Sequence, residues 1–180
     1  VHGSTLGIIG MGEIGRATAR RASGFGMEVL YHSRTRQPEL EARYGYTFLP
    51  LSALLERSDF VSIHTLLNAE TRGLLSTREL ARMKPSAILI NTARGPVVDQ
   101  EALIAALRSG AIGGAALDVT DPEPLPLDSP LFAMPNVIIT PHIGSASMAT
   151  RSRMAEMAAK NIIAVLDGRT PPNAVNSVQS

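Results

Sequence analysis

The run Gly10-Met11-Gly12-Glu13-Ile14-Gly15 follows an apolar segment, Leu6 to Ile9, and opens an amphipathic stretch that ends near Gly24. A strand, a glycine turn and a helix therefore stand in the order of a dinucleotide-binding unit. Glycines recur in turns for backbone reasons alone, so the motif gains its meaning from this context. In such a unit the first glycine permits the tight turn. The second lets backbone N–H groups approach a pyrophosphate, and the third lets the helix pack closely on the strand. The helix N-terminus then faces the phosphates. Residues 10–15 are accordingly predicted to bind a dinucleotide: Gly10, Met11, Gly12, Glu13, Ile14 and Gly15.

A second strand, Glu28 to His32, ends at Ser33-Arg34-Thr35-Arg36. An NAD-binding unit carries an acidic residue near this point for the ribose 2′-hydroxyl, and none stands here. A carboxylate would repel a 2′-phosphate, whereas a hydroxyl flanked by two guanidiniums offers it charge-assisted hydrogen bonds. Ser33, Arg34, Thr35 and Arg36 thus predict NADPH (NADP) as the preferred cofactor, with NAD as an alternative. The competing reading makes Arg34 and Arg36 solvated loop charges.

The remaining chain reads as alternating elements. Short apolar runs at Phe60 to Ile63, Ala87 to Ile90, Gly114 to Val119 and Val137 to Thr140 are predicted buried strands. Ser76 with Glu79 forms a capping box, and Asp99 caps a helix that ends at Gly110. The fold class is α/β: a Rossmann-type doubly wound parallel sheet of about seven strands with flanking helices. Five prolines between Pro122 and Pro135 are expected to forbid a helix and to make Asp121 to Pro135 a stiff surface loop. Ser147 to Leu166 reads as a long helix stopped at Gly168. Two segments result, a nucleotide-binding domain over residues 1–145 and a C-terminal helix and tail over 146–180.

With 180 residues, 44% of them hydrophobic, the chain can bury a sizeable core. Its net charge is +1, and its 17 basic residues are scattered, which gives no footing for nucleic acid. The chain has no cysteine, and its four histidines (His2, His32, His64, His142) lack close metal-ligand spacing, so no metal is expected. Apolar runs fall well short of the roughly 20 residues needed to span a bilayer. Val1-His2-Gly3-Ser4 is no signal-peptide start, so a cytoplasmic location away from membranes is expected.

In an open α/β sheet the ligand lies beyond the carboxyl ends of the strands. The residues placed there are polar: Asn91-Thr92-Ala93-Arg94-Gly95, Asp118, and Pro141-His142-Ile143-Gly144. Together with the glycine run and Asp121-Pro122-Glu123-Pro124, these motifs resemble those of D-2-hydroxyacid dehydrogenases, in the same order over nearly the whole chain. The run Asp118 to Pro126 and the Ser33–Arg36 loop are most similar to the glyoxylate and hydroxypyruvate reductase branch. The resemblance implies hydride transfer between NAD(P)H and a small 2-keto acid, giving a D-2-hydroxy acid. It makes Arg94 the residue that binds the substrate carboxylate and polarises the ketone, a task suited to a fixed guanidinium fork. It makes His142 the general acid and Glu123 its partner. Asp118 and the backbone near Thr92 and Gly144 would hold the nicotinamide, Ala93 and His142 would also bind the cofactor, and the enzyme would be a homodimer. Related alternatives are a phosphoglycerate- or lactate-type dehydrogenase and, from a different class, a dinucleotide-sensing corepressor of the C-terminal binding protein group.

The chain also departs from the family pattern. Members are about twice as long, because the nucleotide domain is inserted in a substrate domain whose main part precedes it. The chain is therefore expected to be a fragment with weak or undetectable turnover, since half the cleft and its closure would be missing. Leu66 stands where many members place a proline. The apolar face of the helix over 147–166 is expected to be exposed or used in self-association.

Overall fold

The computed structural model describes residues 1–176, which form two compact units meeting in sequence at His142 and Ile143. The first holds a seven-stranded sheet: β1 (Thr5–Ile9), β2 (Glu28–His32), β3 (Thr47–Phe48), β4 (Phe60–Ile63), β5 (Ile88–Asn91), β6 (Gly114–Leu117) and β7 (Val137–Ile139). All neighbours pair in parallel, in the order β3-β2-β1-β4-β5-β6-β7. The order reverses between β1 and β4, which is where a doubly wound sheet opens its ligand crevice. Among the described residues no helix is long and apolar enough to cross a membrane.

Side-chain alternation sorts the core onto two faces. Leu6 and Ile8 of β1 join Val29 and Tyr31 of β2 beneath α1 (Glu13–Gly24) and α2 (Pro38–Tyr44). Ile9, Leu30, Val61, Ile63 and Leu89 point the other way, toward α3 (Leu51–Arg57), α4 (Thr77–Leu80) and α5 (Gln100–Ser109). The second cluster is the larger, so the β4–β6 half of the sheet is anchored chiefly by α4 and α5. The α1-side face is less covered over that half: Ile88, Ile90 and Ala116 are half-buried, and Ile138 is 68% exposed.

Helix ends follow their local chemistry. The Ser76–Glu79 capping box is present on α4. The Asp99 carboxylate accepts from the Ala102 N–H at 3.0 Å, and α5 stops at Gly110, whose φ of +70° suits glycine. Asp99→Ala is expected to destabilise the chain by about 1 kcal/mol, the usual worth of an N-cap. A urea midpoint that falls with an unchanged slope would confirm it, and an unmoved midpoint would refute it.

The proline-rich segment needs one correction. Pro130–Ala133 forms a turn of 3₁₀ helix despite the prolines, because Pro130 occupies the first position, where its missing N–H is not needed. Ser129 Oγ accepts from the Leu131 N–H at 3.4 Å, and Leu131 is buried.

The second unit is built on α6 (Met148–Leu166), with Ser147 accepting from the Thr150 N–H and Gly168 just past the end. Ala164 is its one buried residue, while Met148, Ile162, Val165 and Leu166 are exposed. The tail returns onto the helix through paired bonds between Asn161 and Asn173, at 3.0 and 3.2 Å. Of the tail predicted over 146–180, residues 177–180 lie outside the described residues.

Candidate active site at the carboxyl edge of the sheet

Because every strand is parallel, the residues following β1, β2, β4, β5, β6 and β7 emerge at one edge. The glycine turn lies after β1, and its three glycines are required for different reasons. Gly10 has φ +99°, and a Cβ there would stand 2.7 Å from the backbone carbonyl of His64. At Gly15 a Cβ would stand 2.1 Å from the Gly10 oxygen, so helix–turn packing demands glycine. Gly12 is different. Its φ of −78° is open to any residue, and a Cβ there would meet nothing within 4 Å. Nothing inside the chain requires a glycine at the N-cap of α1, a 12-residue helix whose first N–H groups point outward from this turn. The arrangement fits a pyrophosphate lying against the backbone. Met11 is buried beneath the turn, while Glu13 and Ile14 are exposed on its rim.

Arg16 ties this turn to the loop after β2: its Nε donates to the Met11 carbonyl at 3.2 Å and its Nη2 to Gln37 Oε1 at 2.9 Å. In that loop Ser33 Oγ donates to the Thr35 carbonyl at 2.6 Å. The two arginines differ. Arg34 is exposed, with no hydrogen bond or ion pair among the described residues. Arg36 forks onto Glu41, donating from Nε at 2.9 Å and from Nη2 at 2.6 Å, and lies 5.9 Å above the Phe48 ring. The buried Tyr31 hydroxyl donates to the same carboxylate at 2.7 Å and accepts from the Gln37 N–H. Arg36 first and Tyr31 second hold the Glu41 carboxyl down at about 2. Burial, and then Glu41, push the Tyr31 hydroxyl up.

After β5, the buried Asn91 braces the turn that presents Arg94. Its Nδ2 donates to the Arg94 carbonyl at 2.9 Å and its Oδ1 accepts from the Ala93 N–H at 3.0 Å. Thr92 and the Arg94 side chain are exposed, and Arg94 Nη1 donates to the Ala93 carbonyl at 2.6 Å. Gly95 then packs directly on the next loop, since a Cβ there would stand 1.9 Å from the Thr120 carbonyl oxygen.

The ends of β6 and β7 surround a cavity of about 530 Å³, whose lining includes Asp118, Thr120, Glu123, Thr140 and His142. Asp118 is buried and accepts from the Thr140 hydroxyl at 2.5 Å. His142 Nδ1 donates to Glu123 Oε1 at 2.6 Å, both side chains being about half exposed. A half-exposed pair of this kind adds about 0–1 kcal/mol to stability, so its consequence is orientation. His142 is also the one non-glycine residue with positive φ among the described residues, at 53°. Left-handed backbone is costly for such a side chain and clusters at functional sites.

The structure thus brings Asp118, Glu123 and His142 onto one cavity and links the Arg94 loop to it through Gly95. The glycine turn and the 33–36 loop form a separate part of the same edge. Gly144 belongs to the second unit, ahead of α6. Sequence reasoning placed Asn91 and Gly95 in the run after β5 without assigning them a role, and nothing in it marked Thr140 and Glu41 as supports of the site. Asn91 had a signal, a lone amide at the end of an apolar strand, and Gly95 had another, a glycine directly after the exposed arginine. The other histidines serve structure. His2 and His32 donate from Nδ1 to the carbonyls of Phe25 and Leu49. His64 lies 2.9 Å from Ser62 Oγ, and burial pushes its imidazole below the ordinary histidine value. Among the described residues no group of three or more His, Cys, Asp or Glu side chains is placed to hold a metal ion.

Residues 1–144 match the family model described as D-isomer specific 2-hydroxyacid dehydrogenase, NAD binding domain. The chain is 54% identical over 176 residues to a glyoxylate reductase of Korarchaeum cryptofilum, covering 98% of this chain and 53% of the relative. It is 51% identical over 177 residues to glyoxylate/hydroxypyruvate reductase B of Escherichia fergusonii, covering 98% and 55%. Among solved structures, the TT0316 protein of Thermus thermophilus superposes with a TM-score of 0.91 at 57% identity, over 97% of this chain and 54% of that one. The chain therefore spans about half the length of the relatives it matches.

Proposed function

The chain belongs to the D-isomer specific 2-hydroxyacid dehydrogenase family through its NAD binding domain, and from that premise we propose that it is the nucleotide-binding and catalytic half of an NADPH-dependent glyoxylate/hydroxypyruvate reductase. The observation that carries the reading is the His142–Glu123 pair, held on a left-handed backbone beside a cavity at the carboxyl edge. The names of the relatives support the substrate class, a small 2-keto acid.

A bound dinucleotide would supply the hydride for the ketone carbon, and the chain's own residues have the remaining roles. The Arg94 guanidinium takes the substrate carboxylate and draws electron density from the ketone oxygen. Asn91 fixes the turn from which it reaches. An ionised carboxylate only accepts, so Glu123 places the donor hydrogen on Nδ1 of His142 and leaves Nε2 to act. When the ring is protonated, Nε2–H gives its proton to the developing alkoxide. In the reverse direction the neutral ring takes that proton back. Asp118, steadied by Thr140, would hold the nicotinamide with Thr92 and Ala93, and Gly144 is proposed as a further cofactor residue. The exposed Arg34, with Ser33, Thr35 and Arg36, supports NADPH as the preferred cofactor, and NAD remains the alternative. A homodimer is part of the same proposal, supported by the exposed apolar side chains of α6.

The test is a fluorescence titration of the chain and of Gly12→Ala with NADPH and with NADH. The chain is expected to bind NADPH more tightly. Gly12→Ala is expected to keep its melting transition, within about 1 kcal/mol of stability. It should weaken both cofactors at least about tenfold, because its methyl group enters the space the pyrophosphate needs. Equal cofactor binding by the chain and Gly12→Ala would refute the site, and tighter NADH binding would refute the preference.

A further inference from the structure

The loop that replaces the usual ribose-binding acid is not free of acid in three dimensions. Glu41, brought from the middle of α2, lies against Arg36 and is anchored from beneath by the Tyr31 hydroxyl. Both the Nε and Nη2 edges of the Arg36 guanidinium are spent on this carboxylate. Arg34, two residues earlier, has no such partner among the described residues and is fully available to an anion. We infer that Glu41 is a specificity-determining residue: its carboxylate competes with the 2′-phosphate for Arg36 and so restrains the preference of the site for NADPH over NADH.

The physical argument has three steps, and it rests on the reading that this loop meets the ribose. A guanidinium binds a phosphate best through a two-nitrogen fork, and the Nε–Nη2 fork of Arg36 is already closed on a carboxylate of the same geometry. A phosphate reaching Arg36 must break that fork or take the remaining Nη1–Nη2 edge, where it shares Nη2 with Glu41 and meets its like charge. NADH brings a 2′-hydroxyl, which carries no charge, so Glu41 bears on it far less. The restraint therefore falls on one cofactor alone, which is how a difference of affinities sets specificity. The anchor matters as well. Tyr31 is buried in the core and its hydroxyl also accepts from the Gln37 N–H, so Glu41 is held in place and does not swing away with the arginine.

Glu41→Gln is the informative variant, because an amide of the same shape keeps an oxygen for Tyr31 and for one Arg36 N–H but loses the charge. It is expected to tighten NADPH binding about three- to tenfold with NADH binding unchanged, read as Kd by cofactor fluorescence on the 180-residue chain. Glu41→Ala should move the same way, and Arg36→Gln combined with Glu41→Gln should abolish the gain. Unequal fates separate this inference from the reading beneath it. If Arg34→Gln and Arg36→Gln weaken NADPH selectively but Glu41→Gln leaves the NADPH to NADH ratio unchanged or lowers it, Glu41 positions Arg36 and the competition is overturned. If neither arginine variant affects NADPH, the ribose reading of the loop falls and this inference with it.

Discussion

Replacing His142 by asparagine is expected to lower kcat for glyoxylate reduction by about 10²–10⁴-fold, the usual contribution of a positioned general acid, with cofactor affinity far less affected. Asparagine is the appropriate variant because His142 sits at φ 53°, a region asparagine tolerates better than most side chains. The fold is thereby kept while the proton at Nε2 is removed. Glu123→Gln should cost less, since an amide oxygen still accepts from Nδ1 although its charge is gone. The measurement is steady-state turnover in a chimera whose remaining half comes from one of the glyoxylate reductases, with NADPH binding recorded in parallel. Turnover of His142→Asn near that of the parent chimera across the pH range would show that the proton comes from another group.

Gly95→Ala carries the largest expected effect on stability. The added Cβ would stand 1.9 Å from the Thr120 carbonyl oxygen, 2.2 Å from its carbon and 2.8 Å from the Asp121 nitrogen. All three are backbone atoms, so no side chain can turn aside. Overpacking against movable side chains costs about 1–3 kcal/mol, and the rigid contact here should exceed that range. A domain stable by about 5–15 kcal/mol then loses a large share of its margin. Urea denaturation read by circular dichroism gives the comparison, with Gly12→Ala as the reference glycine that meets nothing. If Gly95→Ala unfolds at the same midpoint as the parent, the two loops are not in direct contact. The prediction reaches function too, because the loop bearing Arg94 and the loop leading to Glu123 meet at this point.

Much of this architecture can be read from the chain because its signals are local. Six strands coincide with apolar runs, and α1, α4, α5 and α6 with caps or glycine stops that act within a few residues. β3 escaped because two residues, Thr47 and Phe48, carry no period. The seven-residue helices α2 and α3 lack a side-chain cap bond. Pro130 misled because a proline that ends most helices also starts a 3₁₀ turn. At the site the limit is distance along the chain. Glu123 and His142 meet across 19 residues and Asp118 and Thr140 across 22. No spacing rule foretells such contacts, and for the proposed catalytic pair only the family resemblance did. Arg36 and Glu41 are five residues apart, yet their pairing depends on α2 turning back over Tyr31.

The sheet ends on its two shortest strands, β3 with two residues and β7 with three. Pro135 and Pro141 bracket β7, and a proline has no N–H to offer a neighbouring ladder. An open parallel sheet is otherwise a template on which a foreign strand can extend, the first step toward aggregation. Here each border gives such a strand only two or three residues to grip, so the chain is guarded against strand-by-strand growth during folding and concentration. The proposed homodimer would therefore form through faces and helices.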